Sequence, residues 1–121
     1  MASLANSVLD GGLSTLTSNG TRIDICTTEP TTYAEATSTY TLGTSATTTG
    51  SPADRTGGGR EVTVAAVTDA SVTGTGVAAF YAITNGSNAL YATGGLSTSQ
   101  SVTTGNTFSL GSFTIGIPDP A

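Results

Sequence analysis

The stretch from Val77 to Ile117 constrains the fold most, because extended segments there alternate with dipeptides suited to reversing the chain. Val77, Ala79, Tyr81 and Ile83 alternate with Ala78, Phe80 and Ala82, the period-2 pattern of a strand with one buried face. Asn85-Gly86 readily takes positive φ and predicts a two-residue hairpin into Ser87–Thr93, where Leu90 and Ala92 alternate with Ala89 and Tyr91. Gly94-Gly95 is expected to break the chain before Leu96. Gly105-Asn106 predicts a second hairpin-type turn, from Val102 back through Phe108 and Leu110 to Phe113, Ile115 and Ile117. Pro118-Asp119-Pro120 should end the last strand, since proline cannot donate to a ladder.

Upstream of that stretch, Leu4, Val8, Leu9, Leu13 and Leu16 mark one stripe of an amphipathic helix over residues 3–16, although Gly11-Gly12 costs about 1 kcal/mol per glycine relative to alanine. Such a stripe either covers an open end of a β-sandwich or docks on a partner. Thr21–Thr28 reads as a strand with Ile23 and Ile25 inward and Arg22, Asp24 and Cys26 on the other face. A cysteine there implies that the second face is not fully wet. Glu29-Pro30 ends it. A short turn at Tyr33–Ala36 and an edge strand through Thr37, Thr39 and Thr41 follow. Residues 43–59 form a long irregular loop, of the kind that is either disordered or functional. Arg60–Thr68 is expected as a strand bulged at Ala65-Ala66, with Val72 in another short strand. Residues 1–121 thus read as one all-β domain: an antiparallel β-sandwich or jelly roll of about seven or eight short strands plus a short N-terminal helix.

Composition narrows the chemistry. Charged residues are only 9% of the chain and the net charge is −5, so solubility rests on serine, asparagine and threonine, the last being about a fifth of the residues. The only basic residues are Arg22, Arg55 and Arg60, too few to displace counterions from nucleic acid or to hold an anionic membrane. Cys26 has no second cysteine to pair with and fits a small buried hydrophobe. Met1-Ala2-Ser3 starts no convincing signal peptide, and no apolar run is long enough to span a membrane, so synthesis in a cytoplasm is expected.

Without histidine or lysine, Ser-His, Cys-His and Ser-Lys nucleophile pairs are excluded. Two carboxylates suffice for a glycosidase, and Asp24, Glu29, Glu35, Glu61 and Asp69 are available, but no spacing singles out a pair. Neither zinc-type cysteine spacing nor an acidic calcium loop occurs, and Gly57-Gly58-Gly59-Arg60 leads into a strand rather than a phosphate-binding helix. The expectation is a protein that is not an enzyme, with no catalytic residues, metal, cofactor or small-molecule substrate.

The strand end Cys26-Thr27-Thr28-Glu29-Pro30, the segment Gly95-Leu96, the turn Val102…Thr104-Gly105-Asn106-Thr107-Phe108 and the closing Phe113-Thr114-Ile115 resemble small virion structural proteins from the head-and-tail region of tailed bacteriophages. The likeness leaves residues 43–59 unmatched and rests on turn chemistry. It implies a β-sandwich that coats a particle: a capsid decoration protein, made in the host cytoplasm and residing in the virion. Its partners would be the major capsid protein and copies of itself, as a trimer or a cluster at a symmetry axis. Contact elements on this reading are the N-terminal segment, with Leu4, Val8 and Leu9, and the loop at 43–59, with Arg55 and Arg60 as charged contacts. The alternative is a tail- or fibre-associated module binding host glycan, with Tyr33 and Tyr40 stacking on sugar.

Overall fold

The computed structural model describes residues 5–118. One helix, α1 (Asn6–Asn19), precedes nine strands: β1 (Arg22–Cys26), β2 (Thr41–Ala46), β3 (Ala53–Asp54), β4 (Arg60–Val64), β5 (Val67–Val72), β6 (Gly76–Thr84), β7 (Leu90–Val102), β8 (Thr107–Leu110) and β9 (Phe113–Ile117). They form two antiparallel sheets, six strands in the order β7-β6-β1-β2-β5-β8 and three in the order β3-β4-β9. The protein is an all-β sandwich with a short N-terminal helix. Ile23, Ile25 and Ile83 from the larger sheet meet Val62 and Val64 from the smaller one in a shared core, with Leu13 and Leu16 of α1 joining from the side.

Chain connectivity bends the larger sheet. Strands β7 and β8 are its opposite edges, yet only Thr103–Asn106 joins them. Five Cα steps reach at most about 18 Å, whereas five strand spacings of a flat sheet would require about 24 Å. The sheet therefore curls until its edges approach. Gln100 Nε2, on β7, donates to the Ser109 carbonyl of β8 at 3.1 Å across the seam.

Several expectations are corrected. The helix runs to Asn19, three residues past the expected end; Leu4 and the expected start at Ser3 lie outside the described residues, as do Asp119 and Pro120. Thr37 and Thr39 belong to a π-helical turn, Glu35–Thr39, rather than to an edge strand. There the Thr37 hydroxyl donates back to the Tyr33 carbonyl at 2.8 Å, so side chain and backbone together favour a coil over extension. The long loop begins only after Ala46, because Gly43–Ala46 sit inside β2, all paired with β1 and Gly43 and Thr44 also with β5. Gly43 is glycine because the Phe108 ring and the Ser71 carbonyl press onto it; an added Cβ would lie 2.7 Å from the ring. Ala65-Ala66 is not a bulge but the place where the chain leaves one sheet for the other, β4 pairing with β9 and β5 with β2 and β8.

Turn chemistry differs as well. Asn85-Gly86 reverses the chain, but through a five-residue loop, Asn85–Ala89, rather than a two-residue one. The Asn85 Oδ1 accepts from the amides of Ser87, Asn88 and Ala89 at 2.9, 2.9 and 3.0 Å, a wider loop that its side chain holds shut. Gly94-Gly95 does not interrupt β7. Gly105, at φ +91°, does turn the chain, but β7 and β8 splay from that turn instead of pairing with each other.

Candidate functional site

Strand β1 is buried on both faces, and its second face carries a closed polar network. Asp24 is fully buried and accepts Arg22 Nε at 2.8 Å, Arg22 Nη2 at 3.1 Å, the Thr41 hydroxyl at 2.7 Å and the Thr44 hydroxyl at 3.4 Å. A buried carboxylate held by that many donors is a structural anion, and it has no open side for a substrate. Of the other carboxylates, Glu35 is partly exposed and accepts from the Thr31 amide and hydroxyl, both at 2.8 Å. Those bonds hold its carboxyl below the ordinary range, so it stays ionised and is a poor general acid. Cys26 is fully buried next to Ala36 and Ala82; burial first, and the Asp24 charge second, push its thiol up to about 12. Among the described residues no group of three or more His, Cys, Asp or Glu side chains could hold a metal ion, and no helix is long and apolar enough to cross a membrane.

The excursion between β2 and β4 is tied to the body at both ends. Thr49 bridges to Val64, the Gly50 amide donates to the Thr63 carbonyl at 2.9 Å, and the Thr17 hydroxyl of α1 donates to the Gly50 carbonyl at 2.8 Å. Gly57, Gly58 and Gly59 all take positive φ, which lets the chain turn back on Arg55, whose Nη1 donates to the Gly58 carbonyl at 3.0 Å. Arg60 is the centre of this arrangement. Its guanidinium donates to both oxygens of Asp10 at 2.8 and 3.2 Å, to Asp54 at 2.7 Å and to the Pro52 carbonyl at 3.2 Å. One side chain thus fastens α1, β3 and β4 together. These carboxylates hold its charge more firmly than water would.

The expected contact residues are placed as follows. Val8 is 60% exposed on α1, while Leu9 is 2% exposed and belongs to the interior. Leu4 lies outside the described residues. Arg55 is half-buried, and Arg60 is turned inward on Asp10 and Asp54, so its charge is already matched within the chain. Tyr40 packs on the Cys26, Ala36 and Ala82 cluster together with Phe80 and Leu90; Tyr33 is half-buried. Sequence reasoning did not find Asp10 as the partner of Arg60, because fifty positions separate them and nothing local signals the pairing.

A second feature also escaped it. Between β7 and the chain from the end of β8 into β9 lies an open cleft of about 390 Å³, lined by Leu96, Thr98 and Gln100 on one side and Leu110, Ser112 and Phe113 on the other. Tyr81 reaches into it from β6, with its ring 4.5 Å from that of Phe113. Comparison with family models, with curated proteins and with solved structures finds no match to this chain.

Proposed function

We propose that this chain is a structural protein of a tailed-bacteriophage virion, a decoration protein that binds across capsid subunits and reinforces the head without chemistry of its own. Its partners on this reading are the major capsid protein and further copies of itself, as a trimer or a cluster at a local symmetry axis. The reading rests on the sequence resemblance and on one structural observation, the bracing of residues 47–59 against α1 through Arg60, Asp10, Thr17 and Gly50. A loop that must order itself on binding loses part of its contact energy to that ordering. This one is ordered beforehand and presents Ser51, Ala53, Asp54 and Thr56 outward. A shape-based binder that engages several subunits at once gains affinity from multivalency and adds its interface energy to that of the shell.

Occupancy on purified particles tests the proposal. Removing residues from Ser45 onward would cut into β2, so the informative variants are point changes: Val8→Asp on the helix and Thr56→Trp on the loop. Both should fold, judged by circular dichroism, and both should leave particles under-occupied. Full occupancy with both variants would reject this surface as the capsid contact.

A further inference from the structure

The cleft beside Tyr81 is built by a bulge. Strand β7 pairs Gly95 with Phe80 and Gln100 with Ala78, so residues 96–99 stand opposite Ala79 alone and the strand bows away from β6. Bulges re-aim side chains, and are common beside binding sites for that reason. Here the bowed segment forms one wall through Leu96, Thr98 and Gln100, while residues 110–114, passing from the larger sheet to the smaller, form the other. Tyr81 and Phe113 add an aromatic surface, with ring centroids 4.5 Å apart. Two contacts hold this shape in advance of any ligand. Gly94 leaves room for the Tyr81 ring, and Gln100 Nε2 donates to the Ser109 carbonyl at 3.1 Å, which fixes the amide and uses one of its donors.

The lining chemistry selects the ligand class. Leu96, Phe113 and Tyr81 are interleaved with Thr98, Gln100 and Ser112, and no Asp, Glu or Arg lines the cleft. A charged ligand would give up hydration there without gaining a counter-ion. A wholly apolar ligand would strip water from the hydroxyls and the Gln100 amide and return no hydrogen bond. A neutral saccharide meets both demands. The C–H face of a pyranose ring packs on aromatic and leucine carbons, and its hydroxyls, each both donor and acceptor, match the threonine, serine and glutamine groups. The volume of about 390 Å³ falls within the range of about 300–1,000 Å³ usual for small-ligand pockets.

We propose that this cleft binds a neutral pyranose saccharide, with Phe113 and Tyr81 as its packing surface and Gln100, Thr98 and Ser112 as its hydrogen-bond partners. It lies apart from Tyr33 and Tyr40, the pair expected from the sequence to stack on sugar; neither lines this cleft, and Tyr40 packs on the Cys26 cluster instead. The site is also separate from the surface formed by α1 and residues 47–59, and does not depend on which particle carries the protein.

The probes are glucose, galactose, N-acetylglucosamine, maltose and lactose, each titrated into the full chain and followed by amide shifts. At least one should saturate in the millimolar range, with shifts confined to residues 94–100 and 110–114. The corresponding uronic acid, which adds a carboxylate to the same ring, should bind about tenfold more weakly at about 0.15 M salt, where the chain's own charge is largely screened. Cyclohexanol, a ring with a single hydroxyl, should not compete. Gln100→Leu keeps the bulk and removes the amide, and should weaken the best sugar by about tenfold. Ser112→Trp, on an exposed position lining the cleft, should block the site, whereas Thr56→Trp should leave sugar binding unchanged. Four results would overturn the proposal: no saturation by any of these sugars at about 50 mM, uronic acid or cyclohexanol binding as tightly as the best sugar, shifts mapping elsewhere, or binding that survives Ser112→Trp. None of these bears on particle occupancy, which tests the other surface.

Discussion

The Tyr81 ring occupies the space that a side chain at Gly94 would need: a Cβ on Gly94 would lie 2.6 Å from Tyr81 Cε2 and 2.8 Å from its hydroxyl oxygen. The two residues are register partners in β6 and β7. This cross-strand contact keeps Tyr81 against Phe113, and so ties the six-stranded sheet to β9 of the smaller one. It also explains why two glycines in the middle of a strand do not end it. The gap beside Gly94 is filled by a ring from the neighbouring strand.

Gly94→Ala should therefore destabilise the fold by overpacking, by about 1–3 kcal/mol in urea unfolding. In Tyr81→Ala the same change should cost much less, because the clash is gone. Additive effects in the double variant would show that the ring is not the cause.

Asp24→Asn leaves Arg22 and two threonine hydroxyls short of their shared acceptor. The expected loss is about 2 kcal/mol, below the 3–5 kcal/mol of a fully enclosed pair because Arg22 reaches water, its side chain being 31% exposed. Equilibrium unfolding at pH 7 measures it, and a loss within error of zero would mean that the network is solvated.

Cys26 gives a pH signature. Its folded pKa, about 12, lies above that of an unfolded thiol, so between pH 9 and 12 the unfolded chain releases a proton that the folded chain keeps. Stability contributed by this group is complete below pH 9 and declines as pH rises toward 12. Native protein at pH 8 should resist a thiol reagent and react at once when unfolded; Cys26→Ala should flatten the alkaline decline. Prompt labelling of the native protein would contradict the burial of this thiol.

Arg60→Ala removes the fastening between α1 and β3. Trypsin should then cleave after Arg55 substantially faster than in the parent, while the six-stranded sheet keeps its hydrogen-exchange protection. Unchanged cleavage would show that Thr17, Thr49 and Gly50 hold the loop by themselves.

Patterns of short range were legible in the sequence. Period-2 alternation located β1, β4 and β6, the leucine stripe located α1, and the Asn-Gly and Gly-Asn turns were found because such residues admit the required φ whatever surrounds them. Cys26 announced that the second face of β1 is covered. Other features were hidden because their cause lies in a distant residue. Gly43 and Gly94 look like breaks until Phe108 and Tyr81 are seen to fill the space beside them, and Arg60 looks like a free cation until Asp10 is brought to it.

The sequence by itself determined that the chain is all-β, where β1, β4, β6 and the main turns fall, and that it lacks the histidine and lysine that activate serine or cysteine nucleophiles. Tertiary structure alone decided which strands are neighbours, that β7 and β8 end as opposite edges of the larger sheet, and that Arg22 and Arg60 are turned toward Asp24, Asp10 and Asp54. The reason is one of range: backbone preference and side-chain alternation act over a few residues, whereas sheet order, close approach and ion pairing depend on residues that only the folded chain brings together.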